Sequence, residues 1–260
     1  MESMNVTIQR MSIKSQRLLM IMAAMMMALA TFIACDGDET DEDDPNGNGG
    51  GVNSGKRIKT VLVTFPDEPS MKNWVDYTYS SAGVLERTDQ FLTETSRQNS
   101  YDIYSYNLDG LVAKIEGYMP SLPEHSSVIT YTYDANKKLL KSQFDVIYNL
   151  NPYVASSSTF NFTYLNGRKT SVTSTHEAIS GPIVTNTEQQ MDYHYDSKGI
   201  LTTITKKMTG VVTERHEYTY NSDGTLDKVT MRRTDTNHIF TIFTFIWENA
   251  NSTFDFFMYN

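Results

Sequence analysis

Four carboxylates in one stretch, Asp192, Asp196, Glu214 and Glu217, are the side chains best suited to acid–base work. Two of them held on either side of a glycosidic bond would make a hydrolase couple. Charged residues on the solvent face of strands are the expected outcome instead. The five histidines, His125, His176, His194, His216 and His238, show no metal-ligand spacing such as H-x3-H or HExxH. Parity against the neighbouring aromatics turns His194 and His216 to opposite faces. The chain has no G-x-S-x-G elbow and no phosphate-cradling glycine loop. Asp44-x-Asn46-x-Asn48-Gly49 copies the first half of a calcium loop, but Gly55 holds the twelfth position, where a bidentate Glu is needed. The expectation is a non-enzymatic protein with no cofactor and no metal.

Contact chemistry is better supplied. Tyr118, Tyr148 and Tyr153 fall beside the longest connections of the chain, where each could stack on a sugar or grip a peptide. The same rings could equally close the open end of a core. Trp74 and Trp247 read as core residues near the two ends of the sheet.

The elements that must position these residues are spelled by a repeat. From Ile58 onward an aromatic-x-aromatic pair is followed by turn residues and then an apolar residue. The pairs are Tyr77/Tyr79, Tyr104/Tyr106, Tyr131/Tyr133, Phe162/Tyr164, Tyr193/Tyr195 and Tyr218/Tyr220, with Phe243/Phe245 as a degenerate last copy. Their second members are spaced by 27, 27, 31, 31, 25 and 25 residues, which signals a repeat architecture. Rings two apart share one face of a strand. Asn221-Ser222-Asp223-Gly224 suits a type I turn with a left-handed glycine, and Asn166-Gly167 suits a two-residue turn. Lys137 stands where the third copy should have glycine. Past the turns, Val112/Ile115, Leu201/Ile204 and Leu226/Val229 are three apart, which implies a bulge or packing on both faces. No stretch after residue 57 has apolar residues at helical spacing. The fold class predicted is all-β: about seven tandem antiparallel hairpins forming one wide curved sheet or open barrel, with no helix.

These phrases, including Tyr133-Asp134 and Tyr195-Asp196, resemble the YD repeats of RHS-type proteins. More closely, they resemble a group of Bacteroidetes lipoproteins built from Tyr-x-Tyr-x3-Gly-x-Leu units. The resemblance covers residues 58–260 and implies consecutive hairpins in one sheet. Seven copies are too few for the closed shell of long RHS arrays, so no cage is implied.

Cys35 is the only cysteine, which excludes an internal disulfide, a cysteine-ligated zinc site and thiol catalysis. Arg10, Lys14 and Arg17 precede an apolar run from Leu18 to Ala30, the anatomy of a secretory signal too short for a membrane span. With Cys35 as first mature residue, the junction resembles the lipobox of bacterial lipoproteins, with Phe32 where Leu is usual. That resemblance implies a leader over 1–34, lipidation at Cys35 and membrane attachment through the acyl chains. Seven acids between Asp36 and Asp44, followed by a Gly/Asn-rich run, make residues 35–57 a flexible tether. An acidic cluster behind the lipidated cysteine also resembles the surface-export signal of Bacteroidetes lipoproteins. Residues 58–260 form the domain. Beyond the acidic run, from Pro45 onward, the chain has 19 basic against 23 acidic residues, which gives no footprint for nucleic acid. The partners expected are a membrane through the anchor and an external glycan or envelope protein. The alternative is a periplasm-facing carrier that shields a lipid or client strand in its curved sheet.

Overall fold

The computed structural model describes residues 56–92, 97–119, 125–148, 154–180 and 183–249. The leader, Cys35 and all of the tether before Lys56 lie outside the described residues. Fourteen strands follow in order: β1 (Lys56–Thr64), β2 (Lys72–Tyr79), β3 (Leu85–Leu92), β4 (Arg97–Tyr106), β5 (Val112–Tyr118), β6 (His125–Tyr133) and β7 (Leu139–Tyr148), then β8 (Val154–Leu165), β9 (Arg168–Ser180), β10 (Ile183–Tyr195), β11 (Leu201–Met208), β12 (Val211–Tyr220), β13 (Leu226–Arg233) and β14 (Ile239–Asn249). Among the described residues there is no helix.

Each repeat phrase is a hairpin. In β12–β13 the Gly224 N–H donates to the Asn221 carbonyl at 3.0 Å, and the Asn221 N–H donates to the Thr225 carbonyl at 2.8 Å. With Gly224 at φ +84°, this is a type I turn closed by a left-handed residue. The polar residue after the second tyrosine has its own task. Asp134 Oδ1 accepts the N–H groups of Asn136 and Lys138, both at 2.8 Å. Asp196 and Asn107 bind their turns in the same way, so Asn107 does the work of Asp there. Lys137 adopts φ +65° in the glycine position, and that turn keeps the common geometry rather than relaxing. Asn166 and Gly167, at φ +52° and +79°, form the two-residue turn.

The three-residue apolar spacing is a bulge. In β13, Lys228 pairs with Thr219 and Leu226 with Tyr220, so Asp227 is the extra residue, and Leu226 and Val229 both stay inside. The same shift recurs at Glu86, Ala113, Leu140, Thr170 and Thr202.

The expected open sheet is corrected by the pairing of the first and last strands. β1 joins β14 antiparallel and the fourteen strands close into a barrel. Trp247 pairs with Ile58, and Lys59 is the extra residue of a bulge like the others. The closing pair therefore has the pattern of a seventh hairpin, with Lys56 and Asn249 where the turn would be. Its aromatic phrase is Phe245-Ile246-Trp247, two residues later than the copy read from the sequence. Closure leaves no free sheet edge, which is a reason for a barrel to win over a strip with two unpaired rims.

One hydrogen bond repeats around the barrel. The hydroxyls of Tyr79, Tyr106, Tyr133, Tyr164, Tyr195 and Tyr220 donate to the carbonyls of Ile58, Leu85, Val112, Leu139, Lys169 and Leu201, at 2.6 to 3.1 Å. The Trp247 indole donates to the Leu226 carbonyl at 2.8 Å. Each repeat is thus tied to the one before it. The tyrosine ladder is structural, and these hydroxyls are committed to the backbone.

Candidate functional site

The barrel wall sorts its residues by parity. Inward positions near the tight turns carry the core: Leu85, Ile115, Leu139, Val172, Leu201, Ile204, Leu226, Val229, Phe243 and Phe245 are all buried. The outer wall is rich in Thr and charge, with ion pairs between Arg57 and Glu248 (2.8 Å), Arg87 and Asp89 (2.6 Å), and Arg232 and Glu217 (3.2 Å). A barrel standing in a bilayer needs an apolar outer band. Among the described residues the apolar side chains gather mainly inside, and a β-barrel as such is consistent with an outer-membrane location.

One sector of the outer wall departs from that pattern. Trp74 and Phe91, paired across β2 and β3, stack with ring centroids 5.0 Å apart and an interplanar angle of 8°. Tyr101 and Tyr118, paired across β4 and β5, stack at 5.0 Å and 9°. The Arg87 guanidinium lies 4.0 Å from the Tyr101 ring centre. Arg87 is itself held by Asp89, which also accepts a bond from Gln98. Leu62, 38% exposed, pairs with Trp74 and extends the row. Cross-strand aromatic pairs of this kind stabilise the sheet, and here they also place half-buried rings on the outside.

Of the three tyrosines proposed from the sequence, Tyr118 belongs to this sector. Tyr148 ends β7, its backbone paired with Val154, and its side chain lies outside the described residues, as does all of Tyr153. Of the three, only Tyr118 has a described side chain. Sequence reasoning missed Trp74 and Tyr101 as outward residues. Each stands three before an inward tyrosine, Tyr77 or Tyr104, and odd spacing was the available signal. The reading of Trp74 as core is corrected on that ground. Trp247, by contrast, packs against the core.

Inside, beyond the aromatic layer, the wall turns polar. Asp102 faces inward beside Thr88 and Gln90, and its Oδ2 accepts a bond from each at 3.0 Å. Burial pushes its carboxyl up to about 6, against the opposing effect of those two bonds. Asn73 Oδ1, Ser100 Oγ and His216 Nε2 are buried with no hydrogen-bond partner. On β11 and β12, Lys206 Nζ lies 3.1 Å from Glu214 Oε1, and His216 Nε2 lies 3.5 Å from Oε2. Glu214 was expected on the solvent face. It stands four before Tyr218 and so shares that ring's inward side. Burial pushes its carboxyl up, but His216 and Lys206 outweigh it and bring the group down to about 2. His194 does lie on the outer side, its Nε2 3.1 Å from Thr205 Oγ1. The carboxylates Asp192 and Glu217 are tied to Lys207 and Arg232 outside, so the four carboxylates do not converge.

No protein-family model matches the chain, and no curated protein sequence does. Among solved structures, a TcdB2-TccC3 crystal structure is similar at 14% identity and a TM-score of 0.29, over 73% of this chain and 13% of that one. The chain therefore spans a small fraction of that protein. The Tc holotoxin pore of Photorhabdus luminescens gives 14% and 0.29, over 70% of this chain and 12% of that one. A porin-like protein from Bacteroides uniformis gives 10% and 0.35, over 76% and 98%.

Proposed function

We propose that this is a lipid-anchored, non-enzymatic protein of the outer membrane, facing outward, that binds an envelope protein through the outer sector of β1–β5. The observation that carries the reading is the two stacked aromatic pairs flanked by Arg87 on a wall otherwise rich in Thr and charge. Trp, Tyr and Arg are the side chains that dominate protein interfaces. Sugar stacking needs open ring faces, and Trp74, Phe91, Tyr101 and Tyr118 each give one face to a partner ring. That favours a protein surface over a glycan. The anchor at Cys35 and the acidic tether supply the location.

The test is site-specific photo-crosslinking in intact cells, with a photoreactive phenylalanine in place of Tyr118 and, as control, of exposed Thr173 on β9. A discrete adduct from position 118 and none from 173 is expected. Equal or absent crosslinking at both would sink the reading. Titration heats with soluble glycans that vanish in Tyr118→Ala would replace the protein partner with a sugar.

A further inference from the structure

The inner wall of β2–β6 has an arrangement that the outer sector does not use. Asp102 pairs with Gly117, and Gly117 pairs with Ser127. Gly117 lies inside a strand, where glycine marks a close approach. A Cβ there would stand 2.3 Å from Ser127 Oγ and 3.0 Å from Asp102 Oδ1. The missing side chain lets the carboxylate and the hydroxyl share one niche. Both hydrogen bonds to Asp102 go to Oδ2, which leaves Oδ1 turned to that niche. On the same inner wall, Ser100 Oγ and Asn73 Oδ1 are without partners at 2% and 4% exposure.

Asp102, Tyr77 and Tyr131 all point inward and yet keep accessible surface. Several inward positions near them are short, among them Ser100, Ser127 and Ser142, and barrels wider than eight strands are not filled by their own side chains.

We propose that this niche binds a small organic ammonium ion, with Asp102 Oδ1 as its counter-ion and the Ser127 and Ser100 hydroxyls as further acceptors. Burial, with the Asp102 charge adding to it, holds the protons on Tyr77, Tyr104 and Tyr131. Aromatic faces beside a carboxylate suit a cation carrying an apolar stem. Among the described residues no Lys or Arg pairs with Asp102, and a buried charge without a counter-ion is costly. A hard divalent cation would need several more oxygen ligands, more of them charged. A neutral polyol would leave the carboxylate uncompensated. The titratable groups around Asp102 are these three tyrosines and, from the outer face of β3, Asp89.

Isothermal titration of the full chain in detergent, with butylammonium as probe and butanol as neutral control, tests this at pH 7.5 and pH 5. Binding of the ammonium alone is expected. It should weaken about tenfold at pH 5, because only the ionised fraction of Asp102 is competent. Asp102→Asn should abolish binding. Gly117→Ala, whose methyl displaces only side-chain atoms, should abolish it as well. No binding of butylammonium, equal heats from butanol, affinity independent of pH, or full affinity in either variant would each overturn the proposal.

Discussion

The Trp247 indole N–H donates to the Leu226 carbonyl, and so it stands where a tyrosine hydroxyl stands in each of the other six repeats. The donor has changed while the bond has not. Seven such bonds link each hairpin to the one before it, and the seventh belongs to the pair that closes the barrel.

Because these donors are half-buried and their acceptors are the same in every repeat, removing one hydroxyl should have a fixed and modest effect. Tyr106→Phe and Tyr220→Phe are each expected to cost about 1 kcal/mol. In a barrel of this size that lowers the melting temperature by roughly 2–4 °C. Thermal unfolding followed by circular dichroism measures it. A double variant should show additive losses, since the two bonds lie on distant strands.

Turn conformation gives a pair of opposite expectations. Gly224 sits at φ +84°, and a β-branched side chain there is strained, so Gly224→Val should destabilise by about 1–2 kcal/mol. Lys137 already carries that strain at φ +65°. Lys137→Gly should relieve it and raise the midpoint of denaturant unfolding by the equivalent of roughly 0.5–1 kcal/mol. Its exposed ion pair with Asp109, at 3.4 Å, contributes too little to reverse the sign.

Much of this architecture could be read from the residues, because hairpins are local. Tyr218-Thr219-Tyr220 followed by Asn221 to Gly224 contains its own turn, and Leu226/Val229 contains its own bulge. Closure could not be read in the same way. The closing pair joins Ile58 to Trp247 across nearly the whole chain, and its phrase is spelled Phe-Ile-Trp rather than Tyr-x-Tyr. The outer sector was legible in part. Tyr118 was chosen for its nearness to a loop, while its partner Tyr101 comes from a different hairpin strand and is found only through the register. Asp102 stands two before Tyr104 and so shares that ring's inward side. What burial does to its carboxyl depends on Thr88 and Gln90, which the sequence places on another strand.

Asp102 makes stability depend on pH. Its carboxyl is raised to about 6 from 3.8, so the folded state holds the proton more tightly than the unfolded chain does. Its contribution to stability is full below pH 3.8 and is lost as pH rises through 6. Asp102→Asn should therefore be more stable than the parent at pH 7, by roughly 1–3 kcal/mol. The difference should vanish below pH 4. Urea midpoints at the two pH values decide it, and a variant no more stable at pH 7 would mean that the carboxylate is not strained.

Glu214 acts in the opposite sense. It is held at about 2 against an ordinary 4.5, so its contribution is present above pH 4.5 and is lost as pH falls towards 2. Glu214→Gln should cost roughly 1–3 kcal/mol at pH 7, in part because Lys206 loses its counter-ion. Near pH 2 parent and variant should unfold at the same urea concentration.

The seventh hairpin leads to the last expectation. β14 and β1 pair with the register and bulge of the other hairpins, and Lys56 and Asn249, the outermost described residues, pair directly. The seam therefore has the geometry of a hairpin rather than of an irregular edge. A chain in which Asn249 runs through an added Asn-Gly turn into Lys56, with new ends opened between Ser222 and Asp223, keeps every strand pair of the barrel. Exposed turns are where such rearrangements succeed. The permuted barrel is expected to fold with the parent's circular dichroism spectrum and to lose no more than about 1–2 kcal/mol, the effect of one altered turn. A permutant without cooperative unfolding would show that the β1–β14 seam is not equivalent to the other six hairpins. The closed ring of seven repeats would then be the wrong description of the fold.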